Sequence, residues 1–441
     1  MKFIDLFSGI GGFRSGLEKN GHKAIAYSEV DKYAKQSYTS IYETSEELDL
    51  GDITKVSNEQ WQDLKGKANI IVGGSPCQSF SLAGKRRGFE DTRGTLFFHY
   101  VNAVKEVQPE FFIFENVKGM ISHDKGETIK TVLSSFNEIG YDIDFDVFNS
   151  KYYGVPQNRE RIYIVGKRKD LGINESRESV KGKKKLDQLK NWAIENINYV
   201  KLLPENKNEN VEKRLIDVLE DEVDEKYYLS EEKTKKLTLD QNIGETLSAP
   251  VLAPDRINKS QNGRRFKNDG EPMFTLTTQD RHGIAIREAT KQGYAVAEQG
   301  DSVNVSYPTS KTRRGRVGKQ VAQTLQAGEV NQGVIINPLK DKTYKSWRYE
   351  QNVFDSNGIT RSLKASLGGT PEIINKKYNQ LRIRKLTPLE CWRLQGFKDE
   401  QFYKAKDNGV SNSQLYKQAG NAVTVNVVDA ITKELIKHGL Q

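Results

Sequence analysis

Six short apolar runs separated by helix-like patterns organise residues 1–170. Lys2–Phe7 is the first, and it stops at Ser8-Gly-Ile-Gly-Gly12, after which a helical pattern runs from Phe13 to Asn20. Lys23–Val30 reads as a second strand, with a helix from Asp31 onward. Asn69–Gly73 and Phe111–Glu115 are unbroken apolar runs, as expected of strands covered on both faces, and a helical pattern over Gly94–Val107 bridges them. Tyr141–Asn149 alternates and is expected to pair with Arg161–Gly166 as a hairpin-like end. Strands alternating with helices predict an open α/β sheet that is largely parallel.

After Lys169 the texture changes. Lys and Asn become dense, as in Lys181-Gly-Lys-Lys-Lys185, and periodicity weakens into short Gly- and Thr-rich segments up to Tyr378. Four of these share a small residue before Leu: Glu245-Thr-Leu247, Phe274-Thr-Leu276, Gln323-Thr-Leu325 and Arg361-Ser-Leu363. Their irregular spacing predicts β-hairpins in one domain, not a solenoid. Val211–Asp224 reads as helical and Tyr227–Leu229 as a short β-like piece. Helix signals return at Thr387–Leu394, where Thr387 caps and Pro388 takes the first helical position, and at Thr424–Lys437. The chain therefore reads as one α/β domain, 1–170 and 415–441, interrupted by a β- and turn-rich insertion over 171–414.

A length of 441 residues favours two domains over one core. No run approaches the roughly 18 apolar residues of a membrane span, and the N-terminus lacks a signal-peptide layout. Two cysteines make no disulfide framework, which suits a reducing cytoplasm. The net charge of +9 favours a polyanionic partner.

The chemistry concentrates at strand ends. Cys77 stands in a Pro-Cys-Gln turn just after Asn69–Gly73, which presents its thiol at the rim where open α/β sheets place their sites. A buried packing cysteine is the competing reading. The Gly9-x-Gly11-Gly12 turn permits close approach to a nucleoside, while Arg14 in place of a third glycine argues against a pyrophosphate cradle. Glu29 ends the next strand at the spacing of a ribose-binding acid. Asp52, in Gly51-Asp-Ile-Thr54, could meet an adenine amino group or simply cap a turn. Glu115 follows Phe111-Phe-Ile-Phe114 directly, so its carboxyl should be buried, raised in pKa and suited to general-acid work. Arg159 and Arg161 enter the last strand on one side of it and are its candidate partners, or else form an ordinary sheet-end ion pair. Cys391 lies in an apolar helical pattern and is expected in the core.

These motifs resemble those of the cytosine-5 DNA methyltransferases of bacterial restriction–modification systems. Asp5–Gly12, Pro76-Cys-Gln78, Asp91–Phe98, Glu115-Asn-Val117, Gln157-x-Arg-x-Arg161, Arg384–Phe397 and Gln418–Val423 match that family's motifs in order; Lys169–Gln380 is unmatched in detail. Val30 stands where many members carry Trp. The resemblance implies an S-adenosylmethionine-dependent, Rossmann-like methyltransferase sheet with the insertion as target recognition domain, containing the hinge motif near 384–397. It implies that Cys77 adds to carbon 6 of a flipped-out cytosine, that Glu115 serves ring nitrogen 3, that Arg161 holds the base carbonyl, and that Arg159 orders the site. Phe7, Gly9, Gly11, Glu29, Val30, Asp52, Ile53, Leu96, Asn421 and Val423 would line the cofactor. Duplex DNA would meet Gln78, Ser81, Lys85, Arg86 and Arg87 in a loop over 79–94, and Arg264, Arg265, Arg313, Arg314 and Arg316 in the insertion. The resemblance further implies a cytoplasmic, nucleoid-associated monomer with no membrane partner, beside a separately encoded restriction endonuclease. Two alternatives are an RNA cytosine-5 methyltransferase, whose recognition segment is shorter, and a non-catalytic DNA binder, which would have lost Cys77 or Glu115.

Overall fold

The computed structural model describes residues 1–76, 96–172, 175–204, 210–230, 234, 250–252, 282–310, 312–326, 331–336, 354–355, 373–374 and 382–440. The chain divides into two compact units. One comprises Met1–Lys213, Gln326–Glu329 and Pro388–Gln441; the other comprises Arg214–Leu325 and Val330–Thr387.

The first unit is built on β1 (Lys2–Leu6), β2 (Lys23–Ser28), β3 (Leu48–Asp49), β4 (Ile70–Gly73), β5 (Phe111–Val117), β6 (Tyr141–Asn149) and β7 (Glu160–Arg168). They form one sheet in the order β3-β2-β1-β4-β5-β7-β6. β1 is parallel to β2 and β4, and β4 to β5, whereas β7 runs antiparallel to both β5 and β6. The expected hairpin partner of Tyr141–Asn149 therefore forms, and it also inserts against β5.

Along each strand, successive residues feed opposite layers, as the two-residue period requires. Ile4, Leu6, Ile71, Phe112, Phe114, Ile162 and Ile164 face one core, with Phe97, Tyr100 and Val104 of the helix Leu96–Val107 and Phe136 of Glu127–Glu138. Phe3, Ile70, Val72, Phe111, Ile113, Tyr163 and Val165 face the other, with Phe13 and Leu17 of α1 (Gly12–Glu18) and Val428, Ile431 and Leu435 of the last helix, Val425–Lys437.

The units divide differently from the expected 171–414 insertion. Residues 171–213 and 388–414 belong to the first unit. The Lys-rich composition after Lys169 hides apolar anchors: Leu189, Ala193 and Tyr199 join one core layer, and Val200, Leu202 and Leu203 the other. Buried Asp144 also binds Arg177 at 2.6 Å and accepts from the Leu202 and Leu203 N–H groups. Downstream, Trp392 is buried and donates to the Leu415 carbonyl. Cys391 is buried beside it, as expected.

The second unit contains β8 (Pro250–Leu252), β9 (His282–Arg287), β10 (Tyr294–Glu298), β11 (Ser302–Asn304), β12 (Val317–Gly318), β13 (Gln332–Ile336) and β14 (Arg382–Lys385). Antiparallel pairing gives sheets β10-β9-β8 and β12-β11-β13-β14, around a small core of Ile284, Ile286, Ala297, Val303, Ile335 and Ile383. The helix expected over Val211–Asp224 does not form; only Leu215–Val218 makes one 3-10 turn. Its backbone is tied elsewhere, since Leu215 N–H donates to Gln320, and the acids after Leu219 disfavour a helical C-terminus. Of the Thr-Leu elements, Gln323–Leu325 is described, with Leu325 buried; the other three lie outside the described residues. Among the described residues no helix is long and apolar enough to cross a membrane.

Candidate active site

The C-terminal ends of β1, β2, β4 and β5, with the segment 417–422, enclose a cavity of about 810 Å³ in the first unit. Its floor is set by local chain chemistry. Phe7 follows β1 at φ 53, a left-handed conformation uncommon for an aromatic residue, and leads into the turn that Gly11 N–H closes onto the Ser8 carbonyl. β2 delivers Glu29, whose carboxylate accepts from Gly9 N–H at 2.8 Å on one oxygen and from Val30 and Asp31 N–H at 2.8 and 2.7 Å on the other. Val30, an apolar side chain, is 71% exposed. Asp52 accepts from the Thr54 hydroxyl and N–H, which hold its carboxyl below the usual range. Phe7, Gly9, Glu29, Val30, Asp52, Ile53, Leu96 and Asn421 all line this cavity.

Gly11 and Val423 lie off that wall. Gly11 caps α1 in a left-handed conformation against the Tyr42 ring. Val423 packs on the second core layer and brings its carbonyl so close to Gly12 that a Cβ there would sit at 2.4 Å. Gly12 is thus a docking point for the C-terminal segment. Arg14, the departure from a dinucleotide fingerprint, is buried and turned to Glu18, Glu47 and Tyr38. Asp5, beneath the same wall, is fully buried, and burial pushes its pKa well up against the opposing charge of Arg14.

The other half of the cavity holds the acid. Glu115 lies in the buried part of β5, next to buried Asn116 at its end, and Arg161 of β7 sits 3.1 Å from its Oε1. Burial raises the Glu115 pKa, with Arg161 and then Arg159 opposing. Gly74 is required beside it, because a Cβ there would lie 2.8 Å from both the Glu115 carbonyl and Oε2. Asn116, which sequence reasoning overlooked as a separate part, donates to the Ser75 carbonyl at 2.9 Å and holds the strand end leading to Pro76. Arg159 is buried and donates to the carbonyls of Gly420 and Ala422, at 3.1 and 2.9 Å. Burial first, and Arg161 second, lower its pKa to about 10. It lines the cavity itself and also fixes the backbone of the 420–422 wall. Lys417, paired with Asp31 at 2.6 Å, was also missed, although it directly precedes the Gln418–Val423 motif.

Cys77, Gln78, Ser81, Lys85, Arg86, Arg87, Arg264 and Arg265 lie outside the described residues. In the second unit Arg314 is exposed and Arg313 stands over the Tyr307 ring. Arg316 corrects the sequence expectation. It is fully buried and bonds the carbonyls of Asn304, Ser306 and Tyr307, so its guanidinium is committed to the protein's own backbone. Among the described residues no cluster of His, Cys, Asp and Glu could hold a metal ion.

A family model described as C-5 cytosine-specific DNA methylase matches residues 1–437. The "Orphan methyltransferase M.SPRI" of Bacillus phage SPR is 40% identical over 462 residues, 99% of this chain and 97% of the phage protein. The "Type II methyltransferase M.HpaII" of Haemophilus parainfluenzae is 48% identical over 174 residues, 39% of this chain and 47% of its own. Among solved structures, a mutant DNMT2 of Spodoptera frugiperda superposes with a TM-score of 0.53 across 99% of both chains at 16% identity, a likeness of fold.

Proposed function

The chain belongs to the C-5 cytosine-specific DNA methylases, and we propose that its β-sheet cavity performs that reaction with Cys77 as nucleophile and Glu115 as acid. It is a DNA cytosine-5 methyltransferase. The observation that carries the site assignment is the shared cavity: Glu115 and Arg161 open onto the same space as Glu29, Val30 and Asp52.

The methyl donor is S-adenosylmethionine, on which this family generally depends. The donor set fits it: a carboxylate for ribose hydroxyls at Glu29, an apolar platform at Val30, and an acceptor at Asp52. Bound there, it supplies an electrophilic methyl group. The protein does the rest. The Cys77 thiolate adds to carbon 6 of a cytosine flipped from the duplex, which makes carbon 5 nucleophilic. Glu115, biased toward its neutral form by burial, donates to ring nitrogen 3 and stabilises the charge developing there. Arg161 orients that carboxyl and meets the base carbonyl oxygen. Arg159 holds Gly420 and Ala422 on the opposite wall. Once carbon 5 is methylated, its proton passes to solvent water, the bond from carbon 6 to sulfur breaks with the thiolate leaving, and Glu115 takes back the proton from nitrogen 3 as the ring is restored.

Double-stranded DNA is the substrate, and a restriction–modification setting, with a separately encoded endonuclease, is the proposed role. The test is expression in a bacterial strain free of cytosine methylation, with the DNA then sequenced for 5-methylcytosine. Methylation within one short motif, lost in Cys77→Ser while S-adenosylmethionine binding persists, is the expected result. Unmethylated DNA would reject the assignment, and turnover retained in the variant would remove Cys77 from the mechanism.

A further inference from the structure

The connection from β11 to β12 in the second unit combines three properties that ordinary surface loops lack. It is acid-free: no Asp or Glu occurs from Ser302 to Gly328, while Lys311, Arg313, Arg314, Arg316 and Lys319 do. It carries Tyr307, which is 74% exposed and sits at φ 47. An aromatic residue in that conformation persists only where its surroundings over-determine it.

Those surroundings are built. Arg316 donates to Asn304 and Ser306 carbonyls at 3.1 and 2.9 Å and to the Tyr307 carbonyl at 2.7 Å, beneath the exposed ring. Ser310 N–H donates to the same Tyr307 carbonyl. Asn304 accepts from both the N–H and hydroxyl of Ser306. On the return limb, Glu288 accepts from the N–H groups of Gly315, Arg316 and Val317. The protein buries a whole guanidinium to hold in place a turn whose outward product is one bare aromatic ring, with the Arg313 guanidinium 5.9 Å from its centre. A bare ring beside the Arg313 and Arg314 guanidinium groups, on a segment with no acidic residue of its own, is complementary to duplex DNA, whose phosphates meet the cations and whose groove-facing base edges, the thymine methyl among them, meet an apolar surface.

We propose that this loop is a DNA-reading element in which Tyr307 packs against the bases of the duplex, Arg313 and Arg314 meet the adjoining phosphates, and Arg316 is the positioning residue behind them. The proposal rests on the DNA-methyltransferase reading above and adds to it a residue that determines which sequence is bound.

The discriminating variant is Tyr307→Asn in the full-length protein. Asn tolerates positive φ, so the fold is kept or stabilised while the ring is lost. Thermal melting, KM and kcat on duplexes carrying the methylated motif and each single-base change of it, and the salt dependence of binding are measured together. Expected are an unlowered melting temperature, a KM raised about tenfold or more for the cognate duplex, and a flattened preference among altered sites. Arg313→Gln and Arg314→Gln should instead weaken all duplexes alike and lower the salt slope by about one each. A Tyr307→Asn enzyme with parental KM and site preference overturns the proposal and leaves the methyltransferase reading standing, including the case in which the loop serves a protein partner. A parent protein that methylates no duplex overturns both.

Discussion

Arg161 reaches Glu115 diagonally across two antiparallel strands. Register pairs Val117 with Arg161 and Glu115 with Tyr163, so the two charged side chains share a face two residues apart, with Nε 3.1 Å from Oε1. Burial and the guanidinium pull the carboxyl in opposite directions, and burial wins. The result is an acid that can hold a proton yet is fixed in direction.

Glu115→Gln should therefore lower kcat by about 10²–10⁴-fold while leaving duplex affinity little changed. Single-turnover kinetics beside a binding titration separate the two. A loss confined to affinity would place Glu115 in DNA binding instead of proton donation.

Gly74→Ala tests the same carboxyl from its neighbour. The added methyl would press on both the Glu115 backbone and Oε2, so the acid must move. A rate loss of about 10²-fold is expected, in line with an ångström-scale displacement of a catalytic group. Parental turnover would show that the strand end relaxes freely.

Arg159→Gln should act differently, because Arg159 binds backbone. Removing it strands the Gly420 and Ala422 carbonyls and costs about 2–5 kcal/mol of stability. Denaturant unfolding measures that loss, and the dissociation constant for S-adenosylmethionine should rise as the wall shifts. An unchanged unfolding midpoint would rule out the clamp.

Asp5→Asn addresses pH. Asp5 has a raised native pKa, caused first by burial. Below about pH 4 native and unfolded states both hold the proton and nothing is gained or lost. Above it the unfolded chain releases the proton while the native state keeps it, so stability falls as pH rises toward the native pKa. The melting temperature of Asp5→Asn relative to the parent should thus climb as the pH rises above about 4. A constant offset would mean that Asp5 is ionised in both states.

The parts of the site visible in the sequence are those where one-dimensional pattern constrains three dimensions. An acid closing an unbroken apolar run, as Glu115 does after Phe111–Phe114, can only stand at the rim of a buried strand. A glycine turn between a strand and a helix, as at Gly9–Gly12, leaves few places for the helix to go. Eight of the ten residues expected beside the cofactor line the cavity for the same reason, whereas Gly11 and Val423 lie off it. Arg316 was not, because Arg313, Arg314 and Arg316 offer the same charge within four positions, and only packing selects which one turns inward. The first unit's claim on 171–213 was hidden likewise: lysines dominate the composition, yet Leu189, Ala193, Tyr199 and Leu202 decide where the segment docks. Val211–Asp224 misled by periodicity alone, since the Leu215 N–H is bonded to the distant Gln320 carbonyl and the rest closes only a short 3-10 turn.

The dependence of the cavity on Gly420 and Ala422 sets a clock on the protein. Its floor is made of residues 7–29, but its far wall and the last helix, locked through Asn20 to Asp429, leave the ribosome long afterwards. No nascent chain that stops short of those residues can close the site. A chain that ends before Gly420 lacks one wall of the cavity, however well its first strands have folded.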